Sequence, residues 1–275
     1  MSMILFPNTK INIGLNIVAR REDGYHNIET IYYPIKGLCD ILEVAERFNS
    51  DQKVEFSQTG LMINEPYENN LCVKAYHLLS KYTELPPVAI HLHKQIPFGA
   101  GLGGGSADGA LTLVALNNLS ANPLSAEKLF EVALKLGSDC PFFILNEPSF
   151  GSGRGEILNP IELNLEGYHI LLINPGLHIN TSKAYSLSKP KPSVYKLQKS
   201  VVKSPSQWRG FVENDFEKVV FELYPEIGII KDTLYQLGAV YSAMSGSGST
   251  VFGLFESKPD YNSIFDGYFT FYQKL

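Results

Sequence analysis

The alternation of apolar and polar positions predicts strands that bury one face. Near the start of the chain, Ile11, Ile13, Leu15 and Ile17 alternate with polar or small residues, and the same two-residue period runs through residues 88–92. The stretches 168–174, 240–244 and 251–255 are short apolar runs that also favour strands, and residues 29–60 predict two or three more joined by polar loops. The chain therefore contains several strands spread over its whole length.

Apolar residues spaced three and four apart predict helices between these strands. One is predicted over 70–82 with Asn70 as its N-cap, and an Ala- and Leu-rich one over 107–118. A third follows Ser125 and ends at Gly137. Two more are predicted from residues 214–215 and from Pro225, the latter ending at Gly238.

A glycine-rich segment, Pro97–Asp108, lies between a predicted strand and a predicted helix. Five glycines fall within the seven residues Gly99–Gly105. Glycine loses more backbone freedom on ordering than any other residue, so such a run needs a structural reason. A strand, a glycine loop and a helix together direct free N–H groups and the positive end of a helix dipole at an anion. We infer that this loop holds phosphates.

Three known phosphate loops fit this segment less well. Gly99, Gly101 and Gly104 match G-x-G-x-x-G, but the preceding strand is half polar, and Glu127 lies in a helix rather than at a strand end. The P-loop pattern fails because Gly105 stands where lysine is required, and the protein-kinase triplets H-R-D and D-F-G do not occur. A flexible glycine hinge is the remaining alternative.

Other candidate chemical groups occur outside the glycine loop. Lys10 and Asn12 share the face of the first strand opposite its apolar residues, although a lysine at that position is commonly just solvated. Tyr25 and His26 follow a polar turn and offer an aromatic platform beside a titratable group, or simply lead into the next strand. Asp139, between a helix stop and a proline, is either a capping group or a placed acid–base residue.

Composition narrows the class of protein. The chain has 275 residues, 44% of them hydrophobic, which is enough for one large domain or two small ones. A net charge of −5 gives no indication of nucleic-acid binding. No apolar run approaches the roughly 20 residues of a membrane span, and no secretion signal is evident. With three scattered cysteines, these features predict a cytoplasmic protein whose partner is neither nucleic acid nor membrane.

Two later segments bear on domain organisation. A second glycine turn over 151–156 coincides with a change in composition and predicts a boundary between domains 1–152 and 153–275. Residues 188–205 are rich in lysine, serine and proline without an acidic residue, and are predicted to form a mobile surface loop.

Several separated motifs together resemble the GHMP small-molecule kinase superfamily. The strand Lys10-Ile11-Asn12 resembles the opening lysine-containing strand of that family, and Asp23-Gly24-Tyr25-His26 resembles a turn typical of one branch. Pro97–Ser106 resembles the ATP loop, and Gly137–Phe143 resembles the segment that carries the catalytic aspartate. The glycine turns 153–156 and 245–248 resemble two later motifs. Phe98 and Thr9 depart from the common pattern without replacing a proposed chemical group.

The resemblance implies an α+β fold of two domains with the active site in the cleft between them. The N-terminal domain would be like ribosomal protein S5 domain 2 and the C-terminal domain ferredoxin-like. It further implies ATP and Mg²⁺ as cofactors and a small-molecule substrate, CDP-methylerythritol, whose 2-hydroxyl is phosphorylated in non-mevalonate isoprenoid synthesis. A monomer or homodimer is compatible with it.

The resemblance also assigns residues. Lys10 and Asp139 would be catalytic, with Asp139 accepting the hydroxyl proton and Lys10 stabilising charge. Tyr25 would stack on the cytosine, His26 would bond its edge, and Tyr185 would be the opposing aromatic. The metal ligands stay open, with Ser106 as a candidate. The phosphate-binding set is Pro97, Gly99, Ala100, Gly101, Leu102, Gly103, Gly104, Gly105, Ser106 and Ala107, and Asn12 joins Tyr25, His26 and Tyr185 in the substrate-binding set.

Three alternative functions are compatible with parts of the sequence. A mevalonate-, homoserine- or galactose-type kinase would keep the superfamily and change the substrate, but the D-G-Y-H turn argues against it. A dinucleotide-binding oxidoreductase would use G-x-G-x-x-G. A non-catalytic nucleotide-binding relative is disfavoured because both Lys10 and Asp139 are present.

Overall fold

A computed structural model describes residues 1–48, 50–62, 65–192 and 196–275. The chain forms two compact units, each built from separate stretches of sequence. The first unit comprises residues 1–9, 35–98 and 103–146, and the second comprises 10–34, 99–102 and 147–275. The predicted boundary between residues 152 and 153 stays a prediction; the last change of unit along the chain falls between Asn146 and Glu147.

The first unit is a four-stranded sheet with helices. Strands β1 (Ser2–Leu5), β4 (Ile41–Glu46), β6 (Val88–Lys94) and β5 (Val54–Gly60) lie side by side in that order. Only the β5–β6 pair is parallel, because α1 (Leu71–Leu79) provides the crossover between them. The remaining helices of this unit are α2 (Gly104–Leu119), α3 (Ala126–Leu136) and α4 (Cys140–Leu145).

The second unit contains two sheets. One orders β2 (Asn8–Arg20), β3 (His26–Cys39), β7 (Ser149–Ser152) and β8 (Ile157–Pro160), with the ends of β2 and β3 belonging to the first unit. The other is fully antiparallel and orders β10 (Tyr241–Met244), β11 (Val251–Phe255), β9 (His169–Asn174) and β12 (Phe269–Lys274). Its helices are α5 (Thr181–Leu187), α6 (Leu197–Ser200), α7 (Phe216–Leu223) and α8 (Pro225–Gln236).

Burial follows the predicted alternation. Ile11, Ile13 and Ile17 are fully buried, and β6 buries every second residue from Val88 to Lys94. In the second unit, one core cluster joins side chains of β2 to those of α7, α8 and β11, and Phe216 and Val220 are among its buried members. The strands therefore supply the apolar faces on which the helices pack, and the predicted α+β class is confirmed.

Two predicted helices differ from the structure at one end, and a third ends where predicted. The predicted helix 70–82 ends earlier, at Leu79, although Asn70 caps it as expected by accepting a hydrogen bond from the Cys72 N–H. The helix predicted from Ala107 begins earlier, at Gly104, so the last glycines of the loop form its first turn. Gly137 ends α3 as predicted.

The lysine-rich segment 188–205 is not simply a solvated loop. It contains α6, and Leu197 and Val201 are 2% and 3% exposed. An added methyl group on Gly14 would come within 2.6 Å of Leu197 Cδ1, so α6 packs directly on β2. Lysines mask these apolar positions in the sequence, which is why the prediction of a mobile surface loop was wrong for 197–201, whereas residues 202–204 are exposed. Residues 193–195 lie outside the described part.

No helix in the described part of the chain is long and apolar enough to cross a membrane. The cysteines form no disulfide; Cys72 and Cys140 are buried, and Cys39 is partly exposed.

Candidate active site

Three alternate glycines shape the start of the glycine loop. Gly99, Gly101 and Gly103 have φ angles of 65°, 77° and 73°, a left-handed conformation that other residues rarely adopt. Ala100 and Leu102, between them, are buried. This alternation bends the chain tightly and accounts for three of the five glycines in the run.

Carbonyl groups of the loop are taken up by neighbouring donors of the second unit. The Gly101 carbonyl accepts hydrogen bonds from Lys10 Nζ at 3.0 Å and from Ser245 Oγ at 2.9 Å. The Thr250 N–H donates to the Ala100 carbonyl at 3.2 Å. A methyl group on Gly101 would lie 2.1 Å from the Ser245 carbonyl oxygen, so the third glycine turn, residues 245–248, touches the loop directly. Hydrogen bonds to the carbonyl groups of Ala100 and Gly101 therefore hold the loop in place.

The other part of the predicted phosphate loop is the N-terminus of α2, in the first unit. Gly103 caps this helix through its backbone alone, and Gly104 and Gly105 form the first turn with Ser106. The first four N–H groups of an α-helix have no partner within the helix and carry its positive dipole end. A methyl group on Gly105 would meet no atom within 4 Å, so the first turn is open at that point.

Lys10 lies at the beginning of β2 in a polar network. Its side chain is buried, and Nζ donates to Asn12 Oδ1 at 2.5 Å as well as to the Gly101 carbonyl. Asn12 is fixed in turn, because its Nδ2 donates to Thr30 Oγ1 and its backbone N–H donates to Ser245 Oγ. The predicted pairing of Lys10 and Asn12 on one strand face is confirmed, and the alternative of a solvated lysine is wrong.

Asp139 follows the end of α3 in the first unit. Gly137 ends that helix in an extended conformation, and Asp139 then occupies the N-cap position of α4. Its side chain makes no capping hydrogen bond, and the residue is half-buried. Burial, with the charge of Asp139 adding to it, raises the pKa of the neighbouring Cys140 thiol to about 12. Cys140 is therefore an inert neighbour, and the capping interpretation of Asp139 finds no support.

The D-G-Y-H turn is fixed by ionic contacts. Arg21 binds the Asp23 carboxylate through two nitrogens, and Asp23 Oδ1 accepts the Tyr25 N–H at 3.1 Å. The Tyr25 ring is 54% exposed. His26 stacks on Tyr185 with ring centroids 4.8 Å apart and planes 13° from parallel. Burial, helped by the Arg20 charge, lowers the pKa of His26, so its imidazole is neutral at pH 7.

The structure thus brings His26 and Tyr185 together, two of the predicted substrate residues. Tyr185 also packs edge-on against Phe216 in the core of the second unit, at 4.8 Å between ring centroids. Its position is therefore set by the core rather than by the turn that carries Tyr25.

A cavity of about 460 Å³ opens within the first unit, beside the N-terminus of α2. Its lining is mainly apolar and includes Phe56, Tyr67, Leu71 and Phe98, with Gly105 and Asp108 on one side. Of its lining residues, Gly105 alone belongs to the predicted phosphate-binding set. The lining residues come from four separate stretches of the chain. The sequence gives the order of these stretches but not that they come together in space.

A buried charge cluster lies under this cavity. Lys94 Nζ contacts the carboxylates of Asp40 and, at 3.2 Å, Asp108, and all three side chains are at most 2% exposed. Asp40 also accepts the N–H groups of Gln95 and Ile96. Asp108 Oδ1 has no hydrogen-bond partner among the residues that the structure describes. Burial raises the pKa of Asp108 to about 8, against the opposing effect of the Lys94 ammonium.

Both halves of the chain match known domain families. Residues 70–147 match the GHMP kinases N terminal domain, and residues 196–272 match the GHMP kinases C terminal domain. The 4-diphosphocytidyl-2-C-methyl-D-erythritol kinase of Bacteroides fragilis is 49% identical over 268 residues, which covers 96% of this chain and 97% of that protein.

Solved structures show the same similarity. A crystal structure of 4-(cytidine 5'-diphospho)-2C-methyl-D-erythritol kinase superposes with a TM-score of 0.74 at 33% identity, covering 92% of this chain and 90% of that chain. The mevalonate kinase of Methanococcus jannaschii superposes with a TM-score of 0.69 at 13% identity, covering 99% and 98% of the two chains, and so shares the fold.

Proposed function

The chain belongs to the GHMP kinases, and we propose that it transfers the γ-phosphoryl group of ATP to the 2-hydroxyl of 4-diphosphocytidyl-2-C-methyl-D-erythritol. This reaction belongs to non-mevalonate isoprenoid precursor synthesis, in the cytoplasm. The structural observation that carries the proposal is the position of Lys10. A buried lysine bonded to the carbonyl of Gly101 places a positive charge against the glycine loop, where a polyphosphate would lie.

The phosphates of ATP would be held mainly by backbone groups. The loop lacks the lysine of a P-loop, so N–H groups from Gly99 to Ser106 and the dipole of α2 must carry most of the charge. Magnesium would neutralise the remainder. No group of three His, Cys, Asp or Glu residues in the described part of the chain could hold a metal ion. A site that uses one carboxylate and the substrate phosphates, as Mg²⁺ commonly does, fits that finding.

The chemical step requires a base and a positive charge. The oxygen of the 2-hydroxyl forms a bond to the γ-phosphorus of ATP, and the bond from that phosphorus to the β,γ-bridging oxygen breaks, so that ADP leaves. Asp139, at the N-cap position of α4, accepts the proton of that hydroxyl. The Lys10 ammonium stabilises the negative charge on the transferring group. Asn12 holds Lys10 in place through the 2.5 Å hydrogen bond to its side chain.

The cytosine would be recognised by the D-G-Y-H turn. The exposed ring of Tyr25 provides a stacking face, and neutral His26 offers a hydrogen bond to the base edge. Tyr185 holds the His26 ring by stacking on it.

Replacing Tyr25 with alanine is expected to raise KM for the cytidine substrate by about tenfold or more, because base–aromatic stacking contributes about 1–3 kcal/mol. KM for ATP should change little. Steady-state kinetics with each substrate varied in turn would measure both values. Tyr25→Phe is the matched control and should retain most of the affinity, since it keeps the ring. Equal effects of Tyr25→Ala on both substrates would exclude the stacking role.

The cavity of the first unit would receive the adenine. Its apolar lining suits a flat base, and the unpartnered Asp108 Oδ1 offers one polar contact on the side nearest the helix N-terminus. A pKa of about 8 keeps Asp108 protonated at pH 7, so this carboxyl can donate a hydrogen bond to a ring nitrogen of the base.

This arrangement predicts a pH dependence of ATP binding. Asp108 loses its proton as the pH rises through about 8, and the ionised carboxylate can no longer donate. KM for ATP should therefore rise about threefold to tenfold between pH 7 and pH 9.5, the size of one hydrogen bond. Asp108→Asn keeps an uncharged donor and should show no such rise. The same rise in Asp108→Asn would assign the titration to another group.

The whole proposal is tested by offering the enzyme ATP with a panel of acceptors. We expect phosphorylation of 4-diphosphocytidyl-2-C-methyl-D-erythritol and no comparable turnover of mevalonate, homoserine or galactose. Preference for one of these three would keep the kinase class and change the substrate. Tight NADH binding without ATP binding would indicate an oxidoreductase instead.

A further inference from the structure

The exposed ring of Tyr25 is backed by an arginine from another turn. The guanidinium carbon of Arg154 lies 4.8 Å from the centre of the Tyr25 ring, within the range of a cation–π contact. Arg154 lies in the glycine turn 151–156, and no role was predicted for it from the sequence. The contact joins that turn to the one that presents Tyr25.

Arg154 is itself held in place. Its backbone N–H donates to Glu156 Oε2 at 2.5 Å, and its Nε lies 3.7 Å from Glu156 Oε1. The flanking glycines, Gly153 and Gly155, have φ angles of 69° and 106° and make the turn tight. The Ile28 N–H donates to the Gly153 carbonyl at 2.7 Å, so the turn is bound to β3 just after His26. The turn that carries Arg154 is therefore held in place, and its guanidinium contacts the Tyr25 ring from there.

Two arginines thus have separate roles at this turn. Arg21 fixes the backbone of Tyr25, because its N–H donates to the Tyr25 carbonyl at 2.8 Å and its side chain holds Asp23, which accepts the Tyr25 N–H. Those contacts involve the backbone of Tyr25 and not its ring. Arg154 restricts the ring, since a planar guanidinium stacks on an aromatic face in a way that a lysine ammonium cannot reproduce.

We propose that Arg154 is a positioning residue for nucleobase binding, which covers one face of the Tyr25 ring and holds the opposite face ready for the cytosine. This inference rests on the proposed function, in which Tyr25 stacks on the base. A ring that is fixed before the substrate arrives loses less conformational freedom on binding, so affinity increases without a new contact to the substrate. The effect is confined to the cytidine substrate, because no part of this contact involves the glycine loop.

The test compares Arg154→Ala and Arg154→Lys with the unmodified protein. Arg154→Ala should raise KM for the cytidine substrate about threefold to thirtyfold, the range of a cation–π contact, with kcat and KM for ATP nearly unchanged. Arg154→Lys should recover only part of the affinity. Arg209→Ala is the matched control: its guanidinium lies 4.3 Å from the centre of the Tyr235 ring, so it removes an equivalent contact elsewhere in the second unit. It should leave KM unchanged.

A double-mutant cycle separates positioning from direct contact. In the Tyr25→Ala background, removal of Arg154 should have no further effect on KM if Arg154 acts through that ring. Additive losses would mean that Arg154 contacts the substrate itself and would overturn the inference, as would an unchanged KM in Arg154→Ala.

Calorimetric titration of the protein with CDP distinguishes failure of the proposed function from failure of the positioning role of Arg154. If the unmodified protein does not bind CDP, the proposed function fails; if it binds CDP equally well without Arg154, only the positioning role fails.

Discussion

Replacing Asp139 with asparagine is expected to lower kcat by about 10²–10⁴-fold, the usual contribution of a general base. The amide has nearly the shape of the carboxylate but cannot accept the proton of the attacking hydroxyl. Folding should be preserved, because Asp139 is half-buried and makes no capping hydrogen bond to α4. Single-turnover measurements with both substrates saturating would report the chemical step directly.

The matched control is Asp232→Asn, which removes one carboxylate from an exposed position on α8. It should leave kcat unchanged, and both variants should melt near the temperature of the unmodified protein. Turnover close to the unmodified rate in Asp139→Asn would remove this residue from the mechanism. A large loss accompanied by a much lower melting temperature would instead assign it a structural role.

Gly101→Ala is expected to destabilise the second unit severely. The φ angle of 77° is unfavourable for alanine, and the new methyl group would lie 2.1 Å from the Ser245 carbonyl oxygen and 3.1 Å from the Gly248 carbonyl oxygen. Both are backbone atoms, which cannot rotate away as a side chain can. We expect a loss of at least about 3 kcal/mol in the free energy of unfolding, within the range of the most damaging substitutions. Thermal denaturation and the yield of folded protein would measure it.

Gly105→Ala provides the comparison within the same loop. Gly105 lies in the first turn of α2 with nothing within 4 Å of the added methyl group, and alanine favours helix over glycine by about 0.5–1 kcal/mol. Its melting temperature should be unchanged or slightly higher. If Gly101→Ala melts like Gly105→Ala, the tight approach of the third glycine turn to the loop is not a constraint on this protein.

Local patterns predicted much of the fold because they depend on neighbours in sequence. The alternation at Ile11–Ile17 and the caps at Asn70 and Ser125 each follow from residues a few positions apart, and the structure has them where expected. The residues at which helices begin and end were predicted less accurately than the helices themselves. Glycine disfavours helices in general, so nothing local indicated that Gly104 and Gly105 would begin α2.

The site contacts that could not be predicted from the sequence are those between residues far apart in the chain. Ser245 bonds both the Asn12 N–H and the Gly101 carbonyl, yet it lies more than a hundred residues from each. Asp40 and Lys94 are 54 residues apart, and a buried ion pair gives no periodic signal. Arg154 was visible only as one residue of a glycine turn. The roles proposed for Lys10 and Asp139 came from the resemblance to GHMP kinases rather than from their spacing, and they stay predictions.

The discontinuous second unit bears on how the chain folds during synthesis. Residues 10–34 emerge from the ribosome early, but Leu15 finds its backbone partners only at Glu213 and Asp215, and its side chain packs with Phe216 and its neighbours. These contacts of β2 can therefore form only after about two hundred further residues have been translated. In nascent chains of this protein, the apolar face of that strand is expected to stay accessible to solvent until residues 213–216 have been made.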